Sequence, residues 1–152
     1  MGIIDFTILL GFTLIIIKYS IDIKKLIIPT KKRKIEVIGL TIGSIVILGI
    51  MFKHANSIVH FILGILGIVV ILLSVFRSGI TPKGFKGRKR GAFTWTWDKI
   101  SSVHIIIKND LKIEYYRKDT SDIHIYKKED YDRIMEILRE NISYDKIKIQ
   151  HK

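Results

Sequence analysis

Five cations are crowded into residues 83–90: Lys83, Lys86, Arg88, Lys89 and Arg90, threaded by Gly84, Gly87 and Gly91. Glycines let backbone amides approach an anion closely, and the cations supply charge, so the chemistry this pattern offers is anion binding. Near a membrane the matching anion is a lipid headgroup. The same charges would also serve to hold the segment on one side of a bilayer, and both readings stand on the sequence. No other cluster competes. The histidines (His54, His60, His104, His124 and His151) are scattered, and only His104 and His124 could meet, across two strands. The absence of cysteine excludes disulfides, thiolate metal ligands and thiol chemistry. No nucleophile elbow, phosphate loop, zinc-protease or dinucleotide signature occurs. The expectation is a protein with no catalytic residues, no cofactor and no metal site.

What precedes the cations decides where they act. Three apolar stretches fill the first half of the chain, expected as membrane spans at about residues 2–19, 36–52 and 57–76. A soluble chain of 152 residues could not cover three helices so apolar on every side. The first stretch lacks a basic leader and a small-residue cleavage site, so it is expected to remain as an anchor. Between the first two spans lie Lys18, Lys24, Lys25, Lys31, Lys32, Arg33 and Lys34 against Asp22 alone, whereas the next turn carries only Lys53 and His54. The positive-inside rule then places the N-terminus outside and the C-terminal part in the cytoplasm. Gly39, Gly43, Gly64 and Gly67 are the candidates for close helix packing, within the chain or between copies. The spans hold no mid-membrane charge of the kind a transport pathway needs. The net charge of +12 falls largely on the segments assigned to the cytoplasmic face, which points to anionic lipids and not to nucleic acid.

The division expected is a transmembrane domain, 1–77, and a cytoplasmic domain, 78–152. From Gly79 the pattern changes to short strands with polar turns. Residues 80–85 read as a first strand, and 92–97 alternate with Phe93, Trp95 and Trp97 on one face. Residues 103–107 and 111–116 flank the turn signal Asn109-Asp110, and 123–126 form a further strand. Tyr131, Ile134, Met135 and Leu138 recur at helical spacing behind the acids Glu129, Asp130 and Asp132. Residues 145–149 read as a short strand or a tail. The fold class expected is α+β: three N-terminal membrane helices, then a small antiparallel sheet or partial barrel capped by a C-terminal helix.

Three motifs carry a resemblance. Gly79-Ile80-Thr81-Pro82-Lys83-Gly84-Phe85, Trp97-Asp98-Lys99-Ile100 and the helix with Ile134-Met135-Glu136-Ile137-Leu138 resemble the bacterial pleckstrin-homology-like (PH-like) domains of small membrane proteins, over about residues 79–142. The resemblance implies a lipid-binding or partner-binding module, with Lys83 and Arg88-Lys89-Arg90 in the loop that would meet a headgroup. Fewer strands are visible than that fold's usual seven.

The function expected is therefore an adaptor or sensor in a bacterial cell membrane. Its PH-like module would bind anionic lipids such as phosphatidylglycerol or cardiolipin, or a partner protein, with homo-oligomers as a further possibility. The alternative is a small membrane protein that protects its own cell from a membrane-active peptide or toxin.

Overall fold

Apolar runs without charges satisfy their backbone N–H and C=O groups in a bilayer by coiling into helices. A computed structural model describes residues 3–54, 57–87, 94–118 and 120–151. In it the first half forms α1 (Ile3–Lys24), α2 (Lys34–His54) and α3 (Ile58–Phe76), all long and apolar enough to cross a membrane. Helices of 19 to 22 residues reach about 28–33 Å at 1.5 Å per residue, the thickness of the hydrocarbon layer. Their surfaces are apolar outward: Ile42, Ile45 and Ile65 are all more than half exposed. Hydroxyls in these helices bond back to the preceding turn, Thr13 Oγ1 to the Leu9 carbonyl and Thr41 Oγ1 to that of Val37.

Both α1 and α2 pack on α3. Gly64 is the tightest point of that packing, because a Cβ there would lie 2.1 Å from Met51 Sδ of α2. Gly67 faces Phe12 of α1 more loosely, at 4.0 Å. Gly39 and Gly43 do not take part: a Cβ at either would meet nothing within 4 Å. The small-residue pair of α2 is thus not what joins the second and third helices. Met51 on Gly64 and the edge-on rings of Phe52 and Phe61 lie in that contact instead.

The chain divides into two compact units, Met1–Lys24 with Lys32–Arg77, and Lys25–Lys31 with Ser78–Lys152. The second unit holds two four-stranded sheets. The first is β1 (Ile28–Pro29), β2 (Gly79–Thr81), β3 (Gly84–Lys86) and β4 (Thr94–Thr96), antiparallel and in that order. The second contains β5 (Ser102–Ile107), β6 (Leu111–Arg117), β7 (Thr120–Tyr126) and β8 (Ile147–His151), in the order β7-β6-β5-β8. The helix α4 (Tyr131–Asn141) lies between β7 and β8 in the chain. The two sheets are not closed into a barrel.

Several expectations change here. The strand expected over 80–85 is two strands, because Pro82 has no N–H to give a ladder and its turn reverses the chain. The sheet is not wholly antiparallel, since β8 runs parallel to β5, with Val103 opposite Ile147 and Ile105 opposite Ile149. A helical crossover is what a parallel pair requires, and α4 supplies it. That helix therefore does not end the fold. Ile134, Met135 and Leu138 are its buried face, as their spacing predicts.

The larger surprise is β1. The α1–α2 connection, expected as a basic loop, donates a strand to the sheet that begins after α3. Ile27 N–H bonds to the Ile80 carbonyl at 2.8 Å and Thr30 N–H to that of Ser78 at 3.1 Å. Lys31 N–H reaches the Ile125 carbonyl of β7 at 2.7 Å, and the Lys31 ammonium pairs with Asp110. Pro29 is tolerated because β1 is an edge strand. Gly79 admits it, since a Cβ there would stand 2.3 Å from the Ile28 carbonyl oxygen. Ile28 itself is 1% exposed and joins Ile80, Phe85, Val103, Leu111, Tyr115, Ile134 and Leu138 in one core.

Two outcomes follow for the intact protein. Ile28→Ala destabilises the second unit by about 2–5 kcal/mol, the range for deleting a buried aliphatic side chain, as read from denaturant unfolding by the fluorescence of Trp95 and Trp97. The Thr30 and Ser78 hydroxyls are 2.8 Å apart. In this cysteine-free chain Thr30→Cys with Ser78→Cys closes a disulfide under mild oxidation, seen as a mobility shift that reductant reverses.

Candidate functional site

The cationic stretch enters from a turn that is rigidly built. Thr81 Oγ1 donates to the Gly84 carbonyl at 2.8 Å, closing the turn that carries Pro82 and Lys83. Trp97, in the helical turn after β4, donates its indole N–H to the Pro82 carbonyl at 3.0 Å and its backbone N–H to that of Lys83 at 3.2 Å. Its ring meets Phe85 edge-on, with centroids 5.2 Å apart. Gly84 has φ of +144°, and a Cβ there would fall 1.9 Å from the Trp95 carbonyl oxygen, so no other residue fits. Trp97 is thus a half-buried brace for the turn. Trp95 is core.

This frame places the five predicted cations differently. Lys83 is exposed on the turn. Lys86, expected to face a headgroup, is 5% exposed, because β3 is covered along its whole length and Lys86 lies opposite Thr94 in the ladder. Arg88, Lys89 and Arg90 lie outside the described residues, as do Gly91, Ala92 and Phe93. The structure therefore does not bring Lys83 and Lys86 onto one solvent-facing patch. Among the described residues no three His, Asp or Glu converge as a metal site.

Beneath Gly87, where the cationic stretch leaves β3, lies a buried polar chain that the sequence reading missed. Tyr115, Asp122, His124 and Tyr126 are all at most 5% exposed. Tyr115 donates to Asp122 Oδ2 at 3.3 Å, and its oxygen is 3.0 Å from His124 Nε2. His124 Nδ1 is 2.8 Å from the Tyr126 hydroxyl. A carboxylate accepts, and a neutral imidazole donates from one nitrogen and accepts at the other. One direction then satisfies every group. Tyr126 donates to Nδ1, Nε2–H donates to the Tyr115 oxygen, and Tyr115 donates to Asp122. Burial, helped by the Asp122 charge, pushes both phenols well above their ordinary range and so keeps them donors. Phe85 stacks on Tyr115 at 4.2 Å with the planes 6° apart. A Cβ on Gly87 would stand 2.9 Å from Asp122 Oδ2, so the backbone passes directly over the acid end. The signal was present as Asp-x-His-x-Tyr, three polar groups at the two-residue period that puts them on one face of a strand.

Outside this core the polar groups are local. His104 faces the other side of β5 from the core, against Tyr116 at 4.9 Å, and β6 separates it from His124. The two do not pair. A hydrogen bond from Lys112 holds the Glu114 carboxyl below its usual range, and Tyr116 donates to it at 3.0 Å. The fully exposed Asp98 carboxyl is lowered chiefly by its hydrogen bond with Thr96. An open groove of about 440 Å³ runs along α4 past Tyr131, Asp132, Met135, Glu136, Arg139 and Glu140, away from every predicted site residue. Tyr115→Phe tests the polar chain cleanly, because it keeps the ring stacked on Phe85 and removes only the hydroxyl. Removing the hydroxyl that His124 Nε2 and Asp122 share costs about 1–3 kcal/mol, measurable by equilibrium unfolding.

A family model described as a bacterial PH domain matches residues 6–152, so the match takes in the three apolar helices as well as both sheets and α4. It is much wider than the segment that carries the resemblance in sequence. No curated protein and no solved structure gives a significant match. With that match running through nearly its whole length, the chain belongs to the bacterial PH domain family.

Proposed function

We propose that this protein is a multi-pass membrane protein whose PH-like unit binds anionic phospholipid headgroups without catalysis. The family supplies the kind of module, one that binds lipids or proteins and is generally non-catalytic. The observation that carries the lipid reading is the position of the cations. Lys83 is exposed on a braced turn seven residues after α3 ends, and Arg88-Lys89-Arg90 follow in sequence the strand that leaves that turn. A bacterial membrane offers phosphatidylglycerol and cardiolipin as the matching anions.

Orientation is part of the proposal. Residues 25–31 and 78–152 build one unit, which supports placing both on the same side of the bilayer. Each is entered through cations, Lys24 and Lys25 for one and Arg77 for the other. The positive-inside rule makes that side the cytoplasm and puts the N-terminus outside.

The test is flotation with liposomes of increasing phosphatidylglycerol content, at low and high salt. The protein used joins Lys25–Lys31 through a Gly/Ser linker to Ser78–Lys152, so that Ile28 completes the core. Salt-sensitive binding to anionic liposomes is expected. It falls by about three orders of magnitude when Lys83, Arg88, Lys89 and Arg90 are changed to Gln, at about 1 kcal/mol per cation. Lys86 stays unchanged because it is buried. Binding that ignores these changes, or no binding by the folded unit, would leave the cations a role in topology alone.

A further inference from the structure

Arg77 is the first residue beyond α3, and its guanidinium lies over the ring of Tyr19 in α1, 4.3 Å from the centroid. A cation at a helix C-terminus is expected from the helix dipole alone. The dipole does not explain why the side chain crosses to a neighbouring helix and settles on an aromatic face. Such a face holds a guanidinium by cation–π attraction and leaves its N–H donors pointing sideways in their own plane. Among the described residues no ion pair engages Arg77. A flat fork of donors held in place with no carboxylate on it is the shape that takes two oxygens of one phosphate.

The surroundings fix the depth, and their charge is positive on balance, with Lys18, Lys32 and Arg77 against Asp22 of α1. Tyr19 and Phe76 close the apolar stretches of α1 and α3, where aromatic rings mark the membrane–water boundary. These two ends meet because α1 packs on α3, and Phe12 facing Gly67 together with Tyr19 under Arg77 sets them running in the same direction. The Lys32 ammonium lies 5.4 Å from the Phe76 ring centroid, and Lys18, next to Tyr19, is exposed. The anion that reaches this height beside lipid-facing helices is a phospholipid phosphate.

We infer that Arg77, seated on Tyr19, is a binding site for the phosphate of an anionic phospholipid at the ends of α1 and α3, separate from the cations of residues 83–90. The site rests on the proposed membrane insertion, and not on lipid binding by the PH-like unit. The experiment uses the full chain, purified in detergent, delipidated and offered equal phosphatidylglycerol and phosphatidylcholine. Native mass spectrometry then counts the lipid that stays bound.

The wild type retains phosphatidylglycerol in preference. Arg77→Gln lowers that preference about fivefold or more, the worth of one cation near an anionic surface, and Tyr19→Leu, which removes the ring that seats it, lowers it in the same direction. The Arg88→Gln/Lys89→Gln/Arg90→Gln variant keeps it, which separates this site from the other. Arg77→Lys, which conserves the charge and loses the flat fork, retains less than the wild type. Glycerol 1-phosphate leaves the lipid in place. Equal retention of both lipids by the wild type, or an unchanged preference in Arg77→Gln, would overturn the site. Full retention by Arg77→Lys would reduce it to bulk charge, and displacement by glycerol 1-phosphate would give it to a soluble phosphate compound. Each of those results also rejects the inference.

Discussion

Ile28 buries its side chain in a core whose other members all come from residues 80–147. Everything else in the second unit is arranged around the fact that this one residue arrives from between two membrane helices. Its strand has only two residues, so it cannot hold itself in place by ladder bonds alone. Bonds from Ile27, Thr30 and Lys31 fix it from both ends, and one of them reaches the second sheet at Ile125. Gly79 carries no side chain because the Ile28 carbonyl occupies the space a Cβ would need. The result is a unit discontinuous in sequence. It can finish folding only after α2 and α3 have been made, since the strand waits for its partner across some fifty residues of chain.

The parts legible in the sequence are those with a period or a length to read. Three long apolar runs give three helices, and a β-branched run and an alternating one give β5 and β6 around the Asn109-Asp110 turn. Helical spacing gives α4 with its buried face. What was hidden has the opposite character. Two residues containing a proline show no period, so β1 looked like loop. β2 and β3 are three residues each and ran together into one expected strand. The parallel placement of β8 depends on a register set by tertiary packing, which no local pattern announces. The family resemblance fared similarly. Its short motifs lie in the second unit, whereas the family extends through the helices.

The candidate site shows the same limit in electrostatic terms. Charge is countable in a sequence and accessibility is not. Lys83 and Lys86 look equivalent there, yet one lies on a turn and the other in a strand covered on every residue. In the sequence, glycine reads as room for a ligand. At Gly84 and Gly87 it is room for the protein's own Trp95 carbonyl and Asp122 carboxylate. Gly84 and Gly87 thus have a structural use whatever the cations bind, and their presence is weaker support for an anion site than the sequence suggests.

The buried chain of Tyr126, His124, Tyr115 and Asp122 bears on why this small core holds polar groups at all. Four polar side chains in an apolar interior are a liability unless each finds a partner, and here the donors run in one direction and end on a carboxylate. A directed chain tolerates no shift of one strand against its neighbour. Sliding β7 by one residue on β6 would turn Asp122, His124 and Tyr126 to the other face and strand the Tyr115 hydroxyl. An all-apolar face would resist such slippage through the area it exposes, and the polar chain adds the loss of its hydrogen bonds. The polar chain therefore contributes register as well as stability. It does so at the point where β3 hands over to the cationic stretch, so the strand that launches those charges lies over the most tightly specified part of the core.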